Sequence, residues 1–141
     1  MASIRRETVV NIGADQAWAA LRTVAAAHEL FAPVLTDGEL HGETRRVRFA
    51  NGMVVNERIV DVDEEMRRVA YSALDAPGLR YHHASMQVVD EGSNQCRFVW
   101  ITDFLPADAG GTLAPLIEAG SAALKTNLEA GKPIANATQL A

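Results

Sequence analysis

The chain has 141 residues, 48% of them hydrophobic and 22% charged, with a formal charge of -5 and a pI near 5.3. That balance belongs to a folded globular domain and not to a disordered chain, and the acidic excess argues against a nucleic-acid partner, which needs a basic face. No apolar run reaches bilayer length, so membrane insertion is not expected. No apolar stretch follows the opening Met-Ala-Ser-Ile-Arg-Arg as a secretory signal would require, and the lone Cys96 cannot form an internal disulfide. The expected compartment is the cytoplasm. Residues 1–141 read as one domain, with a core over 3–131 and a tail over 132–141.

Strand one is expected over Ile4 to Ile12, rich in Thr and Val. Gly13-Ala14-Asp15 breaks it, and Asp15 is placed to cap a helix carrying Trp18 and Leu21 on one face. A second short helical piece runs from about Val24 to Phe31 and stops before Pro33. Strands follow at Val34 to His41 and Thr44 to Ala50. In the second of these, Arg46 and Arg48 share a face, best explained as a solvated outer surface. Asn51-Gly52 then signals a tight hairpin of type I′, whose two central residues both need positive φ.

The partner strand covers Met53 to Val62 and turns at Asp63-Glu64-Glu65. Strand five is about Arg67 to Leu74, and strand six Leu79 to Val89. Gly92-Ser93-Asn94 leads into strand seven, where Cys96, Phe98, Trp100, Thr102 and Phe104 alternate with Arg97, Val99, Ile101 and Asp103. Leu105-Pro106 stops that strand. A helix of about nineteen residues, roughly 28 Å long, then runs from Thr112 to Ala130. Leu113, Leu116, Ile117, Gly120, Leu124 and Leu128 form its apolar stripe, opposite Glu118, Lys125 and Glu129. Gly131 is a left-handed cap and Pro133 prevents continuation. The Asn136-Ala137-Thr138 match to a glycosylation acceptor reads as accidental in a cytoplasmic protein.

Hairpin-length links imply antiparallel pairing. The expected class is therefore α+β: a seven-stranded curved antiparallel sheet wrapped around a long C-terminal helix, with two short helices between the first and second strands. A three-residue link at 92–94 sets Glu91 against Gln95. It then places His82 opposite Phe104, Ala84 opposite Thr102, Met86 opposite Trp100 and Val88 opposite Phe98. A four-residue link would turn His83 inward instead. The first register is preferred because it sorts apolar from polar residues better.

That element order, with Trp18, Glu57-Arg58-Ile59, Tyr71, Trp100 and Phe104-Leu105-Pro106, resembles the START-related superfamily often abbreviated SRPBCC, over about residues 3 to 130. This group includes polyketide cyclases, lipid-transfer domains and birch-pollen-allergen relatives. The resemblance implies a helix-grip fold with a deep apolar cavity between helix and sheet. The allergen-like plant branch carries a multi-glycine loop between strands two and three. Here that link is only Leu40-His41-Gly42-Glu43, which disfavours that branch.

On this reading the cavity holds a hydrophobic or aromatic small molecule, lipid-like or polyketide-like. Its expected contacts are Phe49, Glu57, Tyr71, His82, Met86, Trp100, Phe104, Leu116, Gly120, Leu124 and Asn127. Glu57, His82 and Tyr71 are the candidates if the chain is instead a cyclase, aromatase or dehydratase acting on a carbonyl compound. Each has a plainer reading beside it. Trp100 is also the largest core side chain, and Glu57 is also read as an exposed strand glutamate beside Arg58 or Arg68. Tyr71 is also a packing residue. Gly120 costs about 1 kcal/mol of helix propensity against alanine, which points to close packing or to ligand clearance. Cys96 reads as a small buried apolar residue. His82 and His83 point to opposite faces and cannot share a metal ion. The sequence has no glycine-rich phosphate loop, paired-cysteine spacing or serine elbow, so neither cofactor nor metal is expected. A second copy of the chain stays open as a partner.

Overall fold

The computed structural model describes residues 2–134; the 136–138 acceptor match lies outside them. Seven strands run β1 (Ser3–Val10), β2 (Leu35–His41), β3 (Thr44–Phe49), β4 (Val54–Asp63), β5 (Arg68–Ala73), β6 (Tyr81–Asp90) and β7 (Cys96–Leu105). They form one antiparallel sheet in the order β1-β7-β6-β5-β4-β3-β2. Helix α1 (Ala14–Leu21) and the short α2 (Ala27–Leu30), the latter led by a 3-10 turn, lie between β1 and β2. Helix α3 (Gly110–Glu129) closes the order and packs on the sheet. No helix among the described residues is long and apolar enough to cross a membrane.

The β6–β7 hairpin has the three-residue link. The Glu91 amide donates to the Gln95 carbonyl at 3.0 Å. The register then runs His82↔Phe104, Ala84↔Thr102, Met86↔Trp100 and Val88↔Phe98, with His83 opposite Asp103 on the other face. Helix α3 buries Ile117, Gly120, Leu124 and Leu128 against the sheet side. It ends in a Schellman arrangement with Gly131 at φ +69°. There the Gly131 and Lys132 amides donate to the Leu128 and Asn127 carbonyls, each at 3.1 Å, which satisfies carbonyls that a bare helix end would leave open.

Two local expectations fail. Asp15 does not cap α1: Gly13 holds that position without a side-chain bond, and the Asp15 carboxylate pairs with Arg67 across the molecule. The Asn51-Gly52 turn is not type I′. Only Gly52 has positive φ, +91°, and its amide donates to the Phe49 carbonyl at 2.9 Å, while the Phe49 amide donates to Met53 at 2.8 Å. The loop is thus three residues, 50–52, with glycine alone in the left-handed position. Asn51 instead accepts the Met53 amide with its side-chain oxygen at 2.9 Å.

The space between sheet and α3 is filled at one end. Trp18, Leu21, Leu30, Met86, Phe98 and Leu124 belong to a continuous buried cluster there. The other end is hollow.

Candidate ligand cavity

The hollow is a cavity of about 120 Å³ between the first half of α3 and the inner faces of β3, β4, β5, β6 and β7. Aromatic rings supply much of its wall. Phe31, Phe49, Tyr71 and Trp100 all border it, with Val34, Met53, Leu79, Leu113 and Leu116 among the aliphatic groups. Ala73 borders it too, opposite Glu57 of β4.

Gly120 lets the indole of Trp100 lie against α3: a β-carbon on that glycine would sit 2.9 Å from the nearest ring carbon. The glycine therefore serves close packing against Trp100. The indole Nε1–H donates to the Tyr71 hydroxyl at 3.2 Å, and the Phe31 and Phe98 rings stand 5.7 and 6.0 Å from the indole. Burial raises the Tyr71 phenol well above its ordinary value. The Glu57 charge adds to that, and Arg45 and the Trp100 N–H offset it in part. Tyr71 is thus a neutral phenol at any physiological pH.

Glu57 is not the exposed strand glutamate of the plainer reading. Its side chain is 12% exposed and faces Arg45, which is 8% exposed, across the β3–β4 ladder. The Arg45 Nη2 and Nε both reach one carboxylate oxygen, Oε1, at 2.8 and 2.9 Å. Nη1 donates to the Val24 carbonyl at 3.1 Å, and the guanidinium carbon stands 5.3 Å from the centre of the Tyr71 ring. Such a partner offsets the cost of burying a carboxylate. Sequence reasoning missed Arg45, although the signal was present: it shares the inward parity of Val47 and Phe49.

His82 is 92% buried and borders the cavity. Its Nδ1 accepts the Ala73 amide at 2.9 Å, and its backbone carbonyl accepts the Ser72 hydroxyl. Burial, with a smaller contribution from His83, lowers its pKa from 6.5 to about 4 against the opposing pull of Asp103. The ring is neutral at pH 7. Because Nδ1 is an acceptor, the proton resides on Nε2.

Seven of the eleven expected contacts border the cavity: Phe49, Glu57, Tyr71, His82, Trp100, Leu116 and Gly120. Four do not. Met86 and Leu124 share the inward face but lie in the packed end. Phe104 is 3% exposed and packs under the start of α3, where a β-carbon on Gly110 would lie 3.3 Å from its ring. Asn127 turns its amide to the Leu30 and Ala32 carbonyls, at 2.8 and 2.9 Å, and ties α3 to α2. Cys96 is fully buried, and burial raises its thiol pKa, so it packs as an apolar group. Thr102, read as inward but not as a contact, does border the cavity.

A helix laid on an antiparallel sheet around an aromatic hollow defines the helix-grip class. Residues 1–131 match the family described as polyketide cyclase / dehydrase and lipid transport; the chain belongs to that family. No curated protein matches it in sequence. Among solved structures it is similar to an uncharacterized Bacillus thuringiensis protein (19% identity, TM-score 0.82, covering 89% of this chain and 97% of that one). It is also similar to the di-domain ARO/CYC protein BexL (17% identity, TM-score 0.79), covering 94% of this chain and 48% of that longer one. Norcoclaurine synthase from Thalictrum flavum, solved with dopamine and hydroxybenzaldehyde, is similar at 21% identity and TM-score 0.64, covering 85% and 84%. At these identities the likeness is one of fold.

Proposed function

We propose that this protein binds a small aromatic or otherwise apolar molecule in the cavity between α3 and the sheet. The observation that carries the reading is the wall itself: four aromatic rings around a hollow that the chain's own side chains leave unfilled. Apolar burial would supply most of the affinity, at about 25 cal/mol per Å². Size bears on the ligand. At about 120 Å³ the hollow is close to the engineered cavity of roughly 150 Å³ that admits benzene. A one-ring compound fits as it stands. A longer lipid-like or multi-ring polyketide-like guest needs more room than that volume gives.

Native mass spectrometry of the purified protein tests this directly, by looking for a retained small molecule. The thermal midpoint should also rise with one-ring aromatic compounds, and Trp100→Ala should abolish that rise. A wild-type midpoint indifferent to a broad apolar library would count decisively against the reading.

One observation favours a second reading, a cyclase or dehydratase acting on a carbonyl compound. Both short contacts from Arg45 go to the same Glu57 oxygen, leaving the other as a proton acceptor beside the cavity. Turnover lost in Glu57→Gln, with binding retained, would support it. Turnover unchanged in that variant removes Glu57 from any mechanism.

A further inference from the structure

In an antiparallel pair the hydrogen-bonded residues alternate. Between β5 and β6 the Val88 amide donates to the Arg67 carbonyl at 2.9 Å, and the register carries Tyr71 opposite Ala84. Two residues further on, Ala73 and His82 should bond next. The ladder instead ends at Tyr71↔Ala84, and two side chains take over. The Ala73 amide donates to His82 Nδ1 at 2.9 Å, and the His82 carbonyl accepts the Ser72 hydroxyl. On either side the sheet is unbroken, β4–β5 to Glu57↔Ala73 and β6–β7 to Tyr81↔Leu105. The sheet thus carries a seam at this end.

The connection over 74–80 crosses the seam, and each of its ends is tied to a different half of the sheet. The Leu74 amide donates to the Asn56 carbonyl of β4, and the Arg80 amide to the Leu105 carbonyl of β7, each at 2.8 Å. The Asp75 carboxylate accepts the Asn56 backbone and side-chain N–H groups, both at 2.8 Å. The same connection walls the cavity through Ala76 and Leu79, beside Ala73 and His82 of the seam itself.

A backbone carbonyl accepts a hydrogen bond at any pH. An imidazole nitrogen accepts one only while it is unprotonated. A proton on Nδ1 sets one donor against another at Ala73. The charged and titratable groups around the ring are few. His83 and Asp103 stand opposite each other on the outer face. The Tyr71 ring is 5.7 Å away, and Glu57, opposite Ala73, is paired with Arg45. Helix α3 lines the cavity with Leu113, Leu116, Ile117 and Gly120 and brings no charge there. In the connection stand Arg80 and Asp75, whose carboxyl the Asn56 bonds hold below its ordinary range, so Asp75 stays ionised above about pH 5.

We propose that this seam is a proton-controlled doorway to the cavity: a proton taken up at His82 Nδ1 releases the Ala73 amide, the ends of β5 and β6 part, and the 74–80 connection moves aside to admit the guest. This rests on the ligand-binding reading above.

The test is amide exchange of the folded full chain, followed by NMR at about pH 7.5 and about pH 5, with and without about 1 M urea. Each rate is divided by that of the unfolded chain at the same pH. The ring titrates at about 4 in the closed fold against 6.5 ordinarily, so linkage should raise the open fraction at Ala73 about 30-fold between the two pH values. A local opening exposes little surface, and the exchange should not respond to urea. In His82→Asn the side-chain oxygen still accepts the Ala73 amide but does not titrate, and the rise should vanish. In His82→Phe no acceptor remains, and Ala73 should exchange rapidly at both pH values. Toluene, which carries no titrating group, serves as the guest. Its association rate, from NMR line shapes, should rise with the opening in the wild type and stay flat in His82→Asn. An Ala73 amide that exchanges only through urea-sensitive global unfolding, an opening indifferent to pH, or a toluene association rate indifferent to the opening would overturn the doorway and leave the ligand-binding reading standing. Failure of toluene to bind the wild type at either pH would sink both.

Discussion

Gly120 and Trp100 are in contact through the space a β-carbon would need: that atom would lie 2.9 Å from one indole carbon and 3.0 Å from the next. The indole cannot simply retreat, because its N–H is bonded to Tyr71. Gly120→Ala should therefore destabilise the protein by about 1–2 kcal/mol, the overpacking cost exceeding the gain of about 1 kcal/mol in helix propensity. Thermal denaturation followed by tryptophan fluorescence checks both the midpoint and the ring environment. A variant as stable as the parent would mean that the indole has freedom its contacts do not suggest.

Arg45 and Glu57 are worth more as a pair than either is alone. Arg45→Met leaves a buried carboxylate without its partner and should cost about 3 kcal/mol. Combining it with Glu57→Leu removes both charges, and the double variant should recover most of that loss. Urea denaturation of the four species gives the coupling directly. If the single and double variants are equally unstable, the pair contributes through shape and not through charge.

The sequence shows which face a residue takes more readily than how deep along that face it lies. The β6–β7 register was legible because a three-residue loop fixes every pair beyond it, and His82 followed from that count. Met86 and Leu124 share the parity or helical phase of true cavity residues, yet they sit where α1 brings Trp18 and Leu21 to fill the interior. Nothing in a period of 2 or 3.6 marks that boundary. Asn127 was misread for a related reason: helical phase put it beside the apolar stripe, but its partners Leu30 and Ala32 lie almost a hundred residues earlier. Arg45 was overlooked for a different reason: attention went to Arg46 and Arg48, while strand parity turned Arg45 inward with Val47.

Asn127 then yields a prediction that separates structure from binding. Asn127→Ala removes the donor shared by two carbonyls at the α2 end and should lower stability by about 1–2 kcal/mol. Affinity for a one-ring aromatic ligand, measured at a temperature where the variant is fully folded, should not change. A loss of affinity as large as that in Trp100→Ala would return Asn127 to the binding site.

His82 makes the stability depend on pH in a defined direction. Burial holds its folded pKa at about 4, below the ordinary 6.5. The unfolded chain therefore binds the proton more readily between those values. The stabilisation is complete above about pH 6.5, declines as pH falls through that window, and is spent below about pH 4. At about 1.4 kcal/mol per pKa unit, the full effect is about 3 kcal/mol. Protonation would also take from Nδ1 the lone pair that accepts the Ala73 amide. Asparagine at this position keeps an acceptor but does not titrate. The stability difference between wild type and His82→Asn should accordingly shift against the wild type by about 3 kcal/mol between about pH 7.5 and about pH 4. Groups that titrate alike in both proteins cancel in the difference. A difference that stays flat with pH would show that the imidazole is as free to take up a proton in the fold as in the unfolded chain.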